Sequence, residues 1–106
     1  MFRIVFVLAA SFVAGPVLAA GDAEIAHGKA LVESNCARCH AVDRTGSSPH
    51  PDAPPFRTLS QHYPLEALAE ALAEGISTGH PDMPEFIATP EQLSAIIAYI
   101  GSLDAK

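Results

Sequence analysis

The feature that most constrains this chain is the pentapeptide CARCH, in which two residues separate Cys36 from Cys39 and His40 follows at once. The chain has 106 residues, enough for a single domain. A domain of this size buries a limited share of its surface, so it commonly relies on a disulfide, a metal or a cofactor to hold its core together. The chain has no other cysteines. The CARCH motif is therefore the first candidate for such a stabilising site.

Two thiols three positions apart lie on the same side of a helical turn, where both can reach the vinyl groups on one edge of a haem and form thioethers. The next residue, His40, is then placed under the iron as an axial ligand. A zinc site needs about four ligands and commonly draws on a second Cys/His pair, whereas the remaining histidines are single and scattered. The spacing therefore favours haem over zinc.

Two further uses of the cysteines, a redox-active dithiol and a structural disulfide, remain open. A dithiol site is expected at the start of a helix in a fold of strands and helices, whereas this motif ends a predicted helix and no strands are evident. A disulfide would close a tight loop and would give His40 no role. The pattern favours one covalently attached haem c per chain, bound by Cys36 and Cys39, with His40 as a ligand of its iron.

Residues 1–20 have one basic residue, a long apolar run interrupted by Gly15-Pro16, and an end of small residues. This pattern predicts a secretory signal peptide, cleaved after Ala19 or Ala20, and an uncleaved membrane anchor is the alternative. We therefore expect residues 21–106 to form the single domain of an exported, periplasmic protein. We expect no stable membrane insertion after cleavage.

Removal of the leader takes Met1 with it and leaves Met83 as the remaining methionine of the two. Met83 lies in the segment GHPDMPEF, where Pro81 and Pro84 indicate an irregular, stiffened loop. A lone methionine is ordinarily a core residue, but its thioether is also an axial ligand of haem iron. We predict Met83 as the sixth ligand, and His80 in the same loop is its main rival.

Apolar residues at steps of three and four predict helices over residues 22–35, 64–75 and 90–104. Asp22 is the expected N-cap of the first helix and Gly75 the expected stop of the second. Residues 41–63 show no helical period and predict a long loop, which in a small domain usually surrounds something. The predicted fold class is all-α.

Taken together, the CARCH motif, the DMP sequence at residues 82–84 and the amphipathic last helix resemble the class I c-type cytochromes, which are small monohaem proteins. The likeness covers residues 22–105. It implies a cytochrome c-like fold, with three main helices around one covalently bound haem. It also implies one-electron transfer with His/Met ligation of the iron, and no enzymatic activity.

The resemblance assigns four further residues. It implies that the first and last helices cross where Gly28 meets Tyr99. It also implies a proline after the motif whose carbonyl accepts a hydrogen bond from the axial imidazole, with Pro54 the best match and Pro55 an alternative. Phe56 is then a haem-facing apolar residue. The apolar shell of the haem would comprise Ile25, Val32, Phe56, Ile76, Phe86 and Ile96.

The charge of the chain bears on its partners. Without the leader it carries five Lys or Arg and twelve Asp or Glu residues, about −7 with neutral histidines. Phosphates would be repelled, so nucleic acid is excluded as a partner, and a redox protein with a basic docking surface is favoured. Two alternative functions are a haem-based sensor or weak peroxidase with a labile sixth ligand, and an electron-transfer subunit of a larger dehydrogenase or oxidase.

Overall fold

A computed structural model describes residues 9–11, 20–75 and 82–104 of the chain. Those residues contain helices and no strands, so the all-α prediction is confirmed. None of the helices there is both long and apolar enough to cross a membrane. The helices are α1 (Ala20–Asn35), a 3-10 turn (Phe56–Thr58) that runs into α2 (Leu59–His62), α3 (Leu65–Glu74) and α4 (Pro90–Ser102).

Each of the two longest helices differs from its prediction at one end. Helix α1 begins at Ala20, so Asp22 lies in its first turn instead of capping it. Its carboxylate is still favourable there, because the helix dipole is positive at that end. Helix α4 ends at Ser102, two residues before the predicted end at 104.

The loop predicted over residues 41–63 is wrong at its end, where the 3-10 turn and α2 lie. These two elements have three and four residues, too few to show a helical period in the sequence. The remainder of the predicted loop, from 41 to 55, contains no helix.

Local sequence determines where α3 ends and α4 begins. Gly75 follows α3 with φ of 83°, a conformation that favours glycine, as the stop signal predicted. Thr89 caps α4: its hydroxyl accepts a hydrogen bond from the backbone N–H of Gln92 at 3.2 Å. The Gln92 side chain accepts one in return from the Thr89 backbone N–H at 3.0 Å, which completes the capping box.

Helices α1 and α4 cross at Gly28. A Cβ atom at this position would overlap the carbonyl oxygen of Ala95 and lie 2.9 Å from the Cβ atom of Tyr99. Only glycine therefore allows the two backbones to approach this closely. The structure confirms the contact between Gly28 and Tyr99 that the resemblance implies.

The core lies between this crossing and the segment that follows the CARCH motif. Ile25 and Phe86 from the predicted apolar shell pack against it and are partly buried, while Ile76 lies outside the described residues. Val42 and Leu59 were not predicted as core residues, because both lie within the predicted loop. The buried cluster comprises Val32, Val42, Phe56, Leu59, Leu72, Ile96, Tyr99 and Ile100.

Tyr99 joins α4 to the segment that follows the motif. Its side chain is buried, and its hydroxyl donates a hydrogen bond to the carbonyl oxygen of Val42 at 2.6 Å. Burial raises the pKa of Tyr99 above its ordinary value of 10.0, and the carboxylates of Asp43 and Glu33 raise it further. The folded protein therefore keeps this proton at pH values where the unfolded chain releases it.

Tyr99→Phe should lower the free energy of unfolding at pH 7 by about 1–2 kcal/mol, because the Val42 carbonyl loses its buried donor. The contribution of Tyr99 is complete below pH 10 and is lost as the pH rises above it, so stability of the variant should depend less on pH in that range. Guanidinium unfolding between pH 7 and pH 11 measures both effects. Tyr63→Phe is the control, since Tyr63 is 55% exposed and its replacement should change little. Equal stability of Tyr99→Phe and the wild-type protein would contradict this prediction.

Candidate functional site

The CARCH motif forms a turn that continues α1. The backbone N–H of Cys36 donates to the carbonyl of Val32 at 2.8 Å, as in a helix. The N–H groups of Cys39 and His40 then both donate to the carbonyl of Cys36, at 3.1 and 2.9 Å. Both cysteines are free thiols and half-buried. The structure therefore holds two thiols and one imidazole on a single turn at the end of a helix.

Burial raises the pKa of the Cys36 thiol to about 11. The thiol is therefore protonated at neutral pH, whereas the thiolate is the nucleophile in thiol–disulfide exchange. A reactive dithiol would need the opposite shift in pKa. This property disfavours the redox-dithiol interpretation of the motif.

The imidazole of His40 is held by the backbone carbonyl of Pro54, which lies 2.8 Å from its Nδ1 atom. A carbonyl oxygen can only accept a hydrogen bond, so Nδ1 carries a proton, and in the neutral ring Nε2 then carries the lone pair. This is the tautomer that can bind a metal through Nε2. Pro55, the alternative in the sequence, instead accepts hydrogen bonds from the backbone and hydroxyl of Thr58, at 3.0 and 2.8 Å.

Phe56 packs against His40, with the two ring centroids 5.0 Å apart and the planes tilted by 46°. Its side chain is buried, and its backbone N–H donates to the carbonyl of Ala41 at 2.9 Å. Pro54 and Phe56 thus lie on either side of Pro55, and one holds the imidazole while the other covers it.

The segment between the motif and Pro54 wraps back onto the motif. The backbone N–H of Ala41 donates to the hydroxyl of Ser48 at 2.9 Å. The backbone N–H of His50 donates to the carbonyl of Cys39 at 3.1 Å. The side chain of Arg57 closes the same loop by donating to the carbonyl of Gly46 at 2.7 Å. The predicted long loop therefore folds back onto the end of the CARCH turn.

Met83 is half-buried and lies in the segment between α3 and α4. Its neighbour Asp82 is tied to the motif loop, because Oδ2 of Asp82 lies 3.1 Å from Nε2 of His50. The structure thus brings the segment that contains Met83 to the loop that surrounds the CARCH turn. His80, the rival ligand predicted from the sequence, lies outside the described residues.

The remaining histidines differ in their surroundings. His27 and His62 are exposed. The side chain of His50 is only 26% exposed, and its Nε2 atom bonds to Asp82. Its backbone N–H donates to the carbonyl of Cys39. No local signal marks His50 in the sequence, since its partners Cys39 and Asp82 are distant from it along the chain.

These donors fit a covalently attached haem. Two half-buried thiols lie on one turn, an imidazole presents a lone pair at Nε2, and the buried Phe56 lies beside that imidazole. Across the described ranges, no group of three or more His, Cys, Asp or Glu side chains is arranged to hold a metal ion by itself. The geometry therefore favours haem over a zinc site.

Comparison with known proteins gives two matches and one negative result. The family model described as cytochrome c matches residues 25–104. Cytochrome c4 from Stutzerimonas stutzeri is 39% identical over 70 residues, which cover 66% of this chain. The match spans only 30% of the length of that relative. No solved structure matches the chain significantly.

Proposed function

The chain belongs to the cytochrome c family, and on this premise we propose that it is a periplasmic one-electron carrier. Its cofactor, as the family implies, is a covalently attached haem c. We assign the two thioether bonds to Cys36 and Cys39, and the two axial positions of the iron to His40 and Met83. Pro54 and Phe56 hold and cover the axial imidazole.

The observation that carries this proposal is the hydrogen bond between His40 and Pro54. It commits Nδ1 to a carbonyl oxygen, so Nε2 is the atom available to the iron. The bond also fixes the orientation of the ring and increases its basicity as a ligand. Phe56 packs against the ring, with centroids 5.0 Å apart, and further limits its rotation.

When bound, haem c supplies a one-electron couple of ferric and ferrous iron. The role of the protein is to keep the positions of the residues around the haem unchanged while the iron gains or loses an electron. With haem bound, His40 and Met83 would both hold the iron and so would leave no position open to small ligands such as dioxygen. Buried Val32, Phe56 and Ile96 exclude water from the interior. Met/His ligation also raises the reduction potential, as in other cytochromes c.

The acidic surface favours a partner with a positively charged surface. Glu66, Glu70 and Glu74 are all exposed along α3, and the chain has twelve acidic residues against six basic ones. A column of charges on a helix is usually its solvated side, so we assign no specific docking role to these glutamates. The net charge favours encounter with a redox protein that presents a basic surface. Such an encounter should slow as the salt concentration rises.

Localisation in the periplasm rests on residues 1–20. Of this segment the structure describes only residues 9–11 and the backbone of Ala20, so the signal peptide remains a prediction from its sequence pattern.

Protein expressed with haem-maturation machinery tests the proposal. We expect a pyridine haemochrome spectrum of the c type, with one haem per chain, and a reversible one-electron redox titration. We also expect the reduced protein at neutral pH to bind no carbon monoxide. Absence of the c-type signal would refute haem attachment. Binding of carbon monoxide to the untreated reduced protein would instead favour the sensor or peroxidase alternative.

A further inference from the structure

The side chain of His50 lies on a hydrogen-bonded path from the attachment motif to the segment that contains Met83. Its backbone is fixed first: the N–H of His50 donates to the carbonyl of Cys39, and its own carbonyl accepts from the N–H of Ala53, both at 3.1 Å. The backbone from which the imidazole projects is therefore fixed to the CARCH turn.

The hydrogen bonds of the ring determine which nitrogen carries the proton. The backbone N–H of Asp52 donates to Nδ1 of His50 at 3.1 Å, so Nδ1 carries a lone pair. The proton of the neutral ring is then on Nε2, which donates to Oδ2 of Asp82 at 3.1 Å. The bond to Asp82 thus forms with an uncharged imidazole and a carboxylate, and it does not require a second proton on His50.

Asp82 directly precedes Met83, and Pro84 directly follows it. A residue before proline is largely restricted to extended conformations, so Met83 has little backbone freedom of its own. Fixing Asp82 therefore restricts where the thioether of Met83 can lie. The side chain of Asp82 is 66% exposed and that of His50 is 26% exposed, so the effect of the bond is modest.

We propose that His50 is a positioning residue for Met83. The His50 backbone is bonded to the carbonyl of Cys39, and its side chain holds Asp82. This link favours the state in which Met83 is bound to the iron over the state in which Met83 is displaced. This inference rests on the proposed assignment of Met83 as an axial ligand.

The experiment uses the oxidised holoprotein and added imidazole, which binds the iron only when Met83 leaves. The apparent Kd of imidazole therefore reports how often Met83 is displaced. His50→Ala should tighten imidazole binding by about threefold to fivefold, the size expected for a partly exposed pair. His50→Gln keeps an N–H that can reach Asp82, so its Kd should lie closer to that of the wild-type protein.

Two further variants separate positioning from a general loss of stability. Asp82→Ala should tighten imidazole binding as much as His50→Ala does, and the double variant should show no further gain, because both changes remove the same bond. His62→Gln is the matched control, since it changes an exposed histidine in α2 outside this path. Its Kd for imidazole should equal that of the wild-type protein.

The outcomes are distinct. A Met-to-iron charge-transfer band in the wild-type protein, together with tighter imidazole binding in His50→Ala and Asp82→Ala, supports the proposal. The same band with unchanged imidazole affinity in both variants overturns it and leaves the Met83 assignment intact. Absence of the band in the wild-type protein overturns the axial assignment and this inference together. If His50→Ala does not fold, Asp82→Ala decides the question alone.

Discussion

Gly28→Val should leave the holoprotein unable to fold to its native state, and Gly28→Ala should destabilise it by about 3 kcal/mol or more. The added Cβ atom would overlap the carbonyl oxygen and carbonyl carbon of Ala95, which are backbone atoms and cannot turn aside as a side chain can. Helix propensity alone predicts the opposite sign, because alanine is favoured over glycine in a helix by about 1 kcal/mol. Guanidinium unfolding followed by circular dichroism measures which effect is larger.

Gly101→Ala is the matched control for this prediction. Gly101 also lies in a helix of the same pair, but the atom nearest to its added Cβ is Cδ1 of Leu65, at 3.3 Å. The end of a leucine side chain can move by a few tenths of an ångström, so we expect a change in stability of less than about 1 kcal/mol. If Gly28→Ala were as stable as Gly101→Ala, the close crossing of α1 and α4 would be wrong.

Met83→Ala should leave the haem attached and open one axial position of the iron. The Met-to-iron charge-transfer band should disappear from the spectrum of the oxidised protein. Carbon monoxide should bind the reduced protein, and imidazole should bind the oxidised protein without having to displace a ligand. The reduction potential should fall, because axial ligands tune haem potentials over about 0.8 V and thioether ligation lies towards the high end.

Ile87→Ala is the control for Met83→Ala. Ile87 lies in the same segment and its side chain is 69% exposed, so its removal should change neither the band nor the ligand affinity. If Met83→Ala kept the band or excluded carbon monoxide, the sixth ligand would be another residue. His80, the rival that the sequence offers in the same segment, would then be tested as His80→Ala.

The sequence was sufficient to predict those parts of the fold that depend on neighbouring residues. The period of apolar residues predicted α1, α3 and α4, and the predicted start of α4 at residue 90 is the observed one. Gly75 ended α3 as predicted, because glycine adopts the positive φ found there without steric cost. The CARCH spacing likewise defines its own geometry, since all its members lie on one turn.

Contacts between distant parts of the chain could not be predicted in this way. Nothing in the residues around His50 indicates Cys39 or Asp82, and the role of Val42 as both a core residue and an acceptor for Tyr99 has no local pattern. The choice between Pro54 and Pro55 also needed the structure, because it depends on which of two adjacent carbonyls faces the imidazole. The short helix α2 was missed because four residues make only one helical turn, which is too short to show a repeating pattern.

The central claim is that the iron is bound between His40 and Met83, and the visible absorption spectrum of the oxidised wild-type holoprotein tests it most directly. We predict a Met-to-iron charge-transfer band at neutral pH, which Met83→Ala removes. A c-type spectrum without this band would contradict the claim, because the haem would then be attached through the cysteines without methionine as the sixth ligand.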